Sequence, residues 1–147
     1  RRIRKATRVI EYTGEHITNE EAERRYRGRN DPHDHTVLFA LDKRTCLDAG
    51  RHGNEARFIN HSCHPNCETV HDNGRIFIQA IRNIQPGVEL SYEYELTGPK
   101  PRTKAEWARY ACHCDVPHCR GTMLAISPPQ KRRASRKTKF PRKIRKS

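Results

Sequence analysis

Four consecutive residues, Asn60-His61-Ser62-Cys63, set an amide, an imidazole, a hydroxyl and a thiol side by side. They lie within Arg57-Phe58-Ile59-Asn60-His61-Ser62-Cys63-His64-Pro65-Asn66-Cys67, a run too dense in site-capable groups to be a plain turn. Two later segments bear on it. Glu89-Leu90-Ser91-Tyr92-Glu93-Tyr94 carries a pair of phenols, and Cys112-His113-Cys114-Asp115-Val116-Pro117-His118-Cys119 carries three thiols within eight residues. Thiolate is the preferred structural donor for zinc, which takes four ligands in a tetrahedron. The trio Cys112, Cys114 and Cys119 therefore needs a fourth ligand. His113 and His118 are near, but His113 lies between two ligands and would point away. A distant cysteine from the first run, Cys63, is the better candidate, and it would tie the C-terminal segment onto the core. Free buried thiols are the plainer alternative. Metal binding here would be folding free energy for a loop with few apolar residues of its own.

These groups sit in a chain of 147 residues, enough for one domain with a modest core. Hydrophobic residues make up 33% and mean hydropathy is −1.04, so the core must be small and would gain from a metal or a crosslink. The formal net charge is +13, and residues 127–147 hold ten Lys and Arg with no acid, which leaves the body close to balanced. That tail cannot bury a core and reads as disordered. It is either a solvated tail or a nucleic-acid tether, since clustered Lys and Arg gain affinity by displacing phosphate counterions. No apolar run approaches the roughly 20 residues of a membrane span. Residues 1–8 are basic without a following apolar segment, so no signal peptide is read. The chain does not start with Met, as in a fragment or a processed form. An intracellular setting is expected, nuclear and chromatin-bound in a eukaryote, cytoplasmic or nucleoid-bound in a bacterium. There, six cysteines suggest metal or free thiols before disulfides.

The elements that must position the groups are short. Residues 8–12 read as a strand ended by Thr13-Gly14. Thr18-Asn19-Glu20-Glu21 fits a capping box, with Thr18 as N-cap and Glu21 at the third position of a helix to about Arg27. Residues 28–34 form a polar loop. Residues 36–41 suit a strand, and 45–48 can pair with it. Asp72-Asn73-Gly74 signals a hairpin joining 68–71 to 75–81. Pro86-Gly87 turns the chain before a strand over 88–92. Residues 98–101 break the pattern, and a short helix over 104–110 leads to the cysteines. Many short strands with little helix make a mainly β domain.

The motifs, in this order, resemble SET-domain protein lysine methyltransferases with a cysteine-rich post-SET segment. Arg57 to Cys67 is similar to the family's central motif and Glu89 to Tyr94 to its second. Cys112-x-Cys114-x4-Cys119-Arg120-Gly121 resembles the post-SET cysteines, and Val9-Ile10-Glu11-Tyr12-x-Gly14-Glu15 the start of the domain. The resemblance covers residues 3–124. It implies a SET-type β-clip of small sheets with a pseudoknot and a zinc-bound post-SET segment, divided as SET domain 1–98, post-SET 99–126 and basic tail 127–147. It implies transfer of a methyl group from S-adenosylmethionine to the ε-amine of a lysine in a histone-like or other basic protein. A zinc-stabilised module that keeps the fold without turnover, its tail on nucleic acid, is the alternative.

Residue by residue, the resemblance implies that Asn60 and His61 contact the cofactor and that Arg57 and Phe58 shape its pocket. Met123 and Leu124 would cover the adenine. Tyr94 is the tyrosine held essential at the lysine channel, and Tyr92 stands where methyl number is tuned. Cys63, Cys112, Cys114 and Cys119 would bind structural Zn²⁺. Read without the resemblance, Arg57 can pair with an acid such as Glu55 or Glu93, Ser62 is structural, and Cys67 is a small buried side chain. The sequence departs from the family at several places, one being that no aromatic follows Cys119. It begins beyond where a Gly-x-Gly element would lie. Val37 stands where a channel tyrosine is common, and Asp115 where many members carry Gly.

Overall fold

Asn73 and Gly74 both adopt left-handed backbone, with φ of 49° and 76°, the conformation that reverses a two-residue hairpin with the right twist. In the computed structural model, which describes residues 1–29, 37–97 and 103–125, this turn joins the two longest strands. The strands are β1 (Arg8–Tyr12), β2 (Glu15–Thr18), β3 (Leu38–Ala40), β4 (Thr45–Asp48), β5 (Asn60–His61), β6 (Cys67–Asp72), β7 (Arg75–Ala80) and β8 (Ser91–Tyr92). The helices are α1 (Asn19–Tyr26) and α2 (Lys104–Arg109), with a 3₁₀ turn at Glu55–Phe58. The result is mainly β, built from three small sheets ordered β1-β7-β6, β2-β4-β3 and β5-β8.

Alternation along β7 buries Ile76, Ile78 and Ala80 and turns Arg75, Phe77 and Gln79 outward. The buried set packs with Tyr12, Leu47, Ala56, Cys67, Ile84 and Tyr92 as the main core. Gly14 lets the link between β1 and β2 pass close to the end of β4: a Cβ there would lie 2.8 Å from the backbone of Asp48 and Ala49. Asp48 is fully buried at the end of β4. It accepts hydrogen bonds from Arg25 Nη1 at 2.9 Å, Tyr26 Oη at 2.7 Å and the Gly50 N–H at 2.9 Å, which fixes α1 against this sheet.

Several elements differ from expectation for local reasons. Thr18 caps α1 by accepting from the Glu21 N–H at 3.1 Å. The Glu21 carboxylate does not complete the box, because Arg24 and Arg25 engage it instead. The reciprocal box forms at α2, between Thr103 and Glu106. Residues 88–92 contract to β8. Ahead of it the side chain of Asn66 holds the loop, donating to the Glu89 carbonyl at 2.8 Å and accepting the Ser91 N–H at 2.9 Å. β2, too short to show periodicity, pairs with β4. The expected strand over 36–41 is Leu38–Ala40, with Thr36 outside the described residues. Most of the loop 28–34, the breaker 98–101 and the basic tail 127–147 also lie outside them. Among the described residues, no helix is long and apolar enough to cross a membrane.

Candidate functional site: a tyrosine pocket beside a four-thiol cluster

Strand β5 consists of Asn60 and His61 alone, and it runs parallel to β8, with Asn60 opposite Ser91 and His61 opposite Tyr92. This pairing sets the first motif directly beside the second, and Asn66 staples them together. Ser62 adds to the junction: its N–H bonds the Tyr92 carbonyl at 3.2 Å and its hydroxyl accepts the His64 N–H at 3.1 Å, a structural role as expected.

His61 is buried, and both ring nitrogens face inward. Nδ1 accepts the Tyr94 N–H at 3.1 Å, so the proton of the neutral ring sits on Nε2, which lies 3.5 Å from Cys63 Sγ. Burial, reinforced by the nearby Arg120 guanidinium, holds this imidazole below its ordinary pKa and so neutral at pH 7. One ring thus links the backbone of Tyr94 to a sulfur of the thiol cluster.

The rings of Tyr92 and Tyr94 lie tilted against each other at 5.0 Å between centroids, and Tyr94 meets the His61 ring edge-on at 5.4 Å. The Tyr94 hydroxyl donates to the Ile59 carbonyl at 2.8 Å, which leaves its oxygen free to accept. Burial pushes the Tyr94 phenol up to about 12. Tyr92 is pushed up further by burial and by its neighbours Tyr12 and Tyr94, so both stay neutral at physiological pH. Tyr12 is a third member that sequence reasoning passed over as a site residue. It is buried in the same cluster, packs on Phe39 at 5.3 Å, and donates to the Val37 carbonyl at 3.2 Å. Its place in the motif before Gly14 was the available signal. Val37 packs against this cluster.

On the other side of β5, the sulfurs of Cys63, Cys112, Cys114 and Cys119 all lie within 4.8 Å of one another. Cys63 Sγ is 3.7 Å from Cys112 Sγ and 4.0 Å from Cys119 Sγ. A tetrahedron of sulfurs about 2.3 Å from zinc has edges of about 3.8 Å, so the donor set fits that ion in both chemistry and spacing. Main-chain N–H groups of Cys63, Arg120 and Gly121 point at the sulfurs of Cys114, Cys63 and Cys119 at 3.4–3.5 Å, as thiolates require. Burial opposes ionisation of Cys114, but N–H donors from Cys63 and Val116 and the adjacent thiols bring it down to about 6. Cys112, dominated by burial, is pushed up. Cys67 stays out of the cluster: it is buried in β6 opposite Ala80, in keeping with its reading as a small core side chain. Asp115 has φ of 53°, which explains why Gly would suit its position and why Asp can stand there.

The C-terminal segment that carries the cluster lies alongside the stretch that follows the second motif, through an isolated bridge between Leu96 and Leu124. Leu96 donates to the Met123 carbonyl at 3.2 Å and accepts the Ala125 N–H at 2.9 Å. Leu124 is 0% exposed and Met123 half-buried. Arg120 pairs with Glu93, closing the same lap from the side. Arg57 therefore pairs with neither Glu55 nor Glu93. Its guanidinium donates to the Ala49 carbonyl at 3.1 Å and lies 4.7 Å over the ring of Phe58, which is 65% exposed. Asn60 is also exposed, with its amide nitrogen 2.7 Å from the Glu89 carboxylate. The structure thus joins Asn60, His61, Tyr92, Tyr94 and the four cysteines in one unit, with Arg57 and Phe58 just before it and Met123 and Leu124 folded back onto it.

Comparisons with known proteins agree with this arrangement. The SET domain family model matches residues 1–95. The histone-lysine N-methyltransferase SUV39H2 of Xenopus tropicalis is 38% identical over 141 residues, covering 82% of this chain and 34% of the relative. The H3 lysine-36 specific histone-lysine N-methyltransferase of Mus musculus is 38% identical over 132 residues, covering 86% of this chain and 5% of the relative. The H3 lysine-4 specific enzyme of Saccharomyces cerevisiae is 39% identical over 118 residues, covering 77% and 11%. The chain spans about a third or less of the length of these relatives. With the family model matching well over half of its length, including the stretches that carry the tyrosines and Cys63, the chain belongs to the SET-domain family.

Proposed function

We propose that the chain is an S-adenosylmethionine-dependent protein-lysine N-methyltransferase acting on histone-like or other basic proteins, in a nuclear or chromatin setting. The observation that carries this reading is the neutral tyrosine pair, Tyr92 buried and Tyr94 half-buried, beside an exposed Asn60 at the β5–β8 pairing. S-Adenosylmethionine, when bound, supplies a sulfonium-linked methyl group that an amine can attack. The chain's own groups must bind it, align the amine and exclude water.

Asn60, with the main chain of His61, is the polar anchor for the donor, since the His61 ring is engaged inside the protein. Arg57 and the exposed ring of Phe58 border it. Met123, which keeps exposed surface, lies against the adenine, and Leu124 anchors it. A lysine has a pKa of about 10.4 in water and is mostly charged at pH 7. Rings of Tyr92, Tyr94 and Tyr12 form an apolar wall that disfavours the ammonium, so the proton leaves to solvent before attack. The Tyr94 oxygen, its own proton held by Ile59, accepts an N–H of the amine and points the lone pair. Tyr92 limits the room for added methyl groups. Zinc on Cys63, Cys112, Cys114 and Cys119 holds the C-terminal lap in place, so the donor pocket is complete only in the metal-loaded chain. The division into 1–98, 99–126 and 127–147 follows these roles, the last acting as a nucleic-acid tether.

The test is transfer of labelled methyl from S-adenosylmethionine to a panel of histones and other basic proteins. Transfer to lysine is expected from the wild-type chain, and Tyr94→Phe should lose most of it while keeping the fold and zinc. Absence of both transfer and cofactor binding in the zinc-loaded chain would rule the reading out.

A further inference from the structure

Asn60 carries the donor-binding role proposed above, yet an amide has two ends, and only one can face a given ligand. The side chain of Glu89 decides which. Its Oε1 lies 2.7 Å from Asn60 Nδ2, and an ionised carboxylate can only accept, so the amide nitrogen must face it. The carbonyl Oδ1 is thereby turned to the opposite side, and no hydrogen bond engages it among the described residues.

The pair is mounted on one frame. Asn60 sits opposite Ser91 in the β5–β8 ladder, and Asn66 clamps both the carbonyl of Glu89 and the N–H of Ser91. Both residues are exposed, so the bond is not a product of core packing. An exposed hydrogen bond between two side chains contributes little to folding. Its effect is to choose the rotamer of the amide.

We propose that Glu89 is a positioning residue for the methyl donor. It takes the NH₂ of Asn60 and so presents Asn60 Oδ1, an acceptor, to the ammonium group of the donor's amino-acid end. The proposal rests on the methyltransferase reading. It adds a residue that touches the donor only through Asn60.

The experiment measures calorimetric binding of two ligands to the zinc-loaded chain. S-Adenosylhomocysteine carries the ammonium, and 5′-methylthioadenosine lacks the whole amino-acid end. Glu89→Ala should weaken S-adenosylhomocysteine about three-fold, the size of the orienting preference that one exposed hydrogen bond supplies, and leave methylthioadenosine unchanged. Glu89→Gln keeps an acceptor for Nδ2 and should bind S-adenosylhomocysteine near the wild-type level. Equal weakening of both ligands would mean a merely structural role and overturn the proposal. So would unchanged S-adenosylhomocysteine binding in folded Glu89→Ala, or a Gln variant as weak as the Ala variant. If the wild-type chain binds neither ligand, the methyltransferase reading itself falls, and the proposal with it.

Discussion

Replacing Cys63 by Ala should detach the C-terminal segment while sparing the core. The segment has little else to hold it. Helix α2 buries no residue, and beyond the cysteines the enclosed side chains past it are Thr122 and Leu124. Burying one leucine contributes about 2 kcal/mol. The Arg120–Glu93 bridge, at 28% and 34% side-chain exposure, adds less than about 1 kcal/mol. A structural zinc contributes on the order of 10 kcal/mol, so the metal dominates. Cys63 would be the ligand from the far side of the chain, 49 residues from Cys112, and without it the remaining trio is local and would tie nothing to the core. Zinc content should fall from about one per chain. Hydrogen exchange should speed up at the amides of Cys112, Met123 and Ala125, which bond Gly121, Tyr110 and Leu96, and stay slow at Ile76 and Ile78 in the central strand. A Cys67→Ala control should keep its zinc. Full zinc content with unchanged protection in Cys63→Ala would refute the reasoning.

Asp48→Ala should destabilise the fold by about 3 kcal/mol in urea unfolding, because it strands the Tyr26 hydroxyl and the Gly50 N–H beside a buried site. Burial alone would raise the Asp48 pKa, but bonds from Tyr26, Arg25 and Gly50 outweigh it and hold it below the usual range, and Arg25 does the same for Glu15 and Glu21. For groups with lowered folded-state pKa, stability is fully present above the unfolded value of about 4 and is lost as pH falls through the folded one. The lowered pKa of buried His61 makes the thermal midpoint begin to slip below about pH 6.5, and the carboxylates make it fall more steeply below about pH 4; a wild-type profile flat to about pH 2 would contradict both. Tyr92→Phe should shift product from mono- toward di- or trimethyl-lysine in mass spectra of a peptide substrate; an unaltered spectrum counts against its assigned role. Removal of the tail after Pro129 should weaken nucleic-acid binding in gel shifts and flatten its salt dependence, with transfer to a short peptide retained.

What was legible in the sequence was what lies contiguous in it. The strand at Arg8–Tyr12, the Asn73-Gly74 hairpin and the helix capped by Thr18 follow from local pattern and turn chemistry. The cysteine spacing predicted a missing fourth ligand, and the four sulfurs converge as that required. Contacts between distant residues left no local trace. Tyr12 reaches the carbonyl of Val37, 25 residues on, and Glu89 meets Asn60 across 29 residues. Glu93 looked free to pair with Arg57 until the fold brought Arg120 to it. The resemblance implies that His61 contacts the cofactor without saying through which atoms; the fold directs its ring to Tyr94 and Cys63, a choice set by which side of a two-residue strand is buried.

The claim that matters most is that the thiol cluster completes the methyl-donor pocket. Zinc can be withdrawn stepwise with a chelator while bound metal and S-adenosylhomocysteine affinity are measured on the same samples. Ligand binding should fall in proportion to zinc lost and return when zinc is restored. Full S-adenosylhomocysteine binding by the zinc-free chain would contradict it.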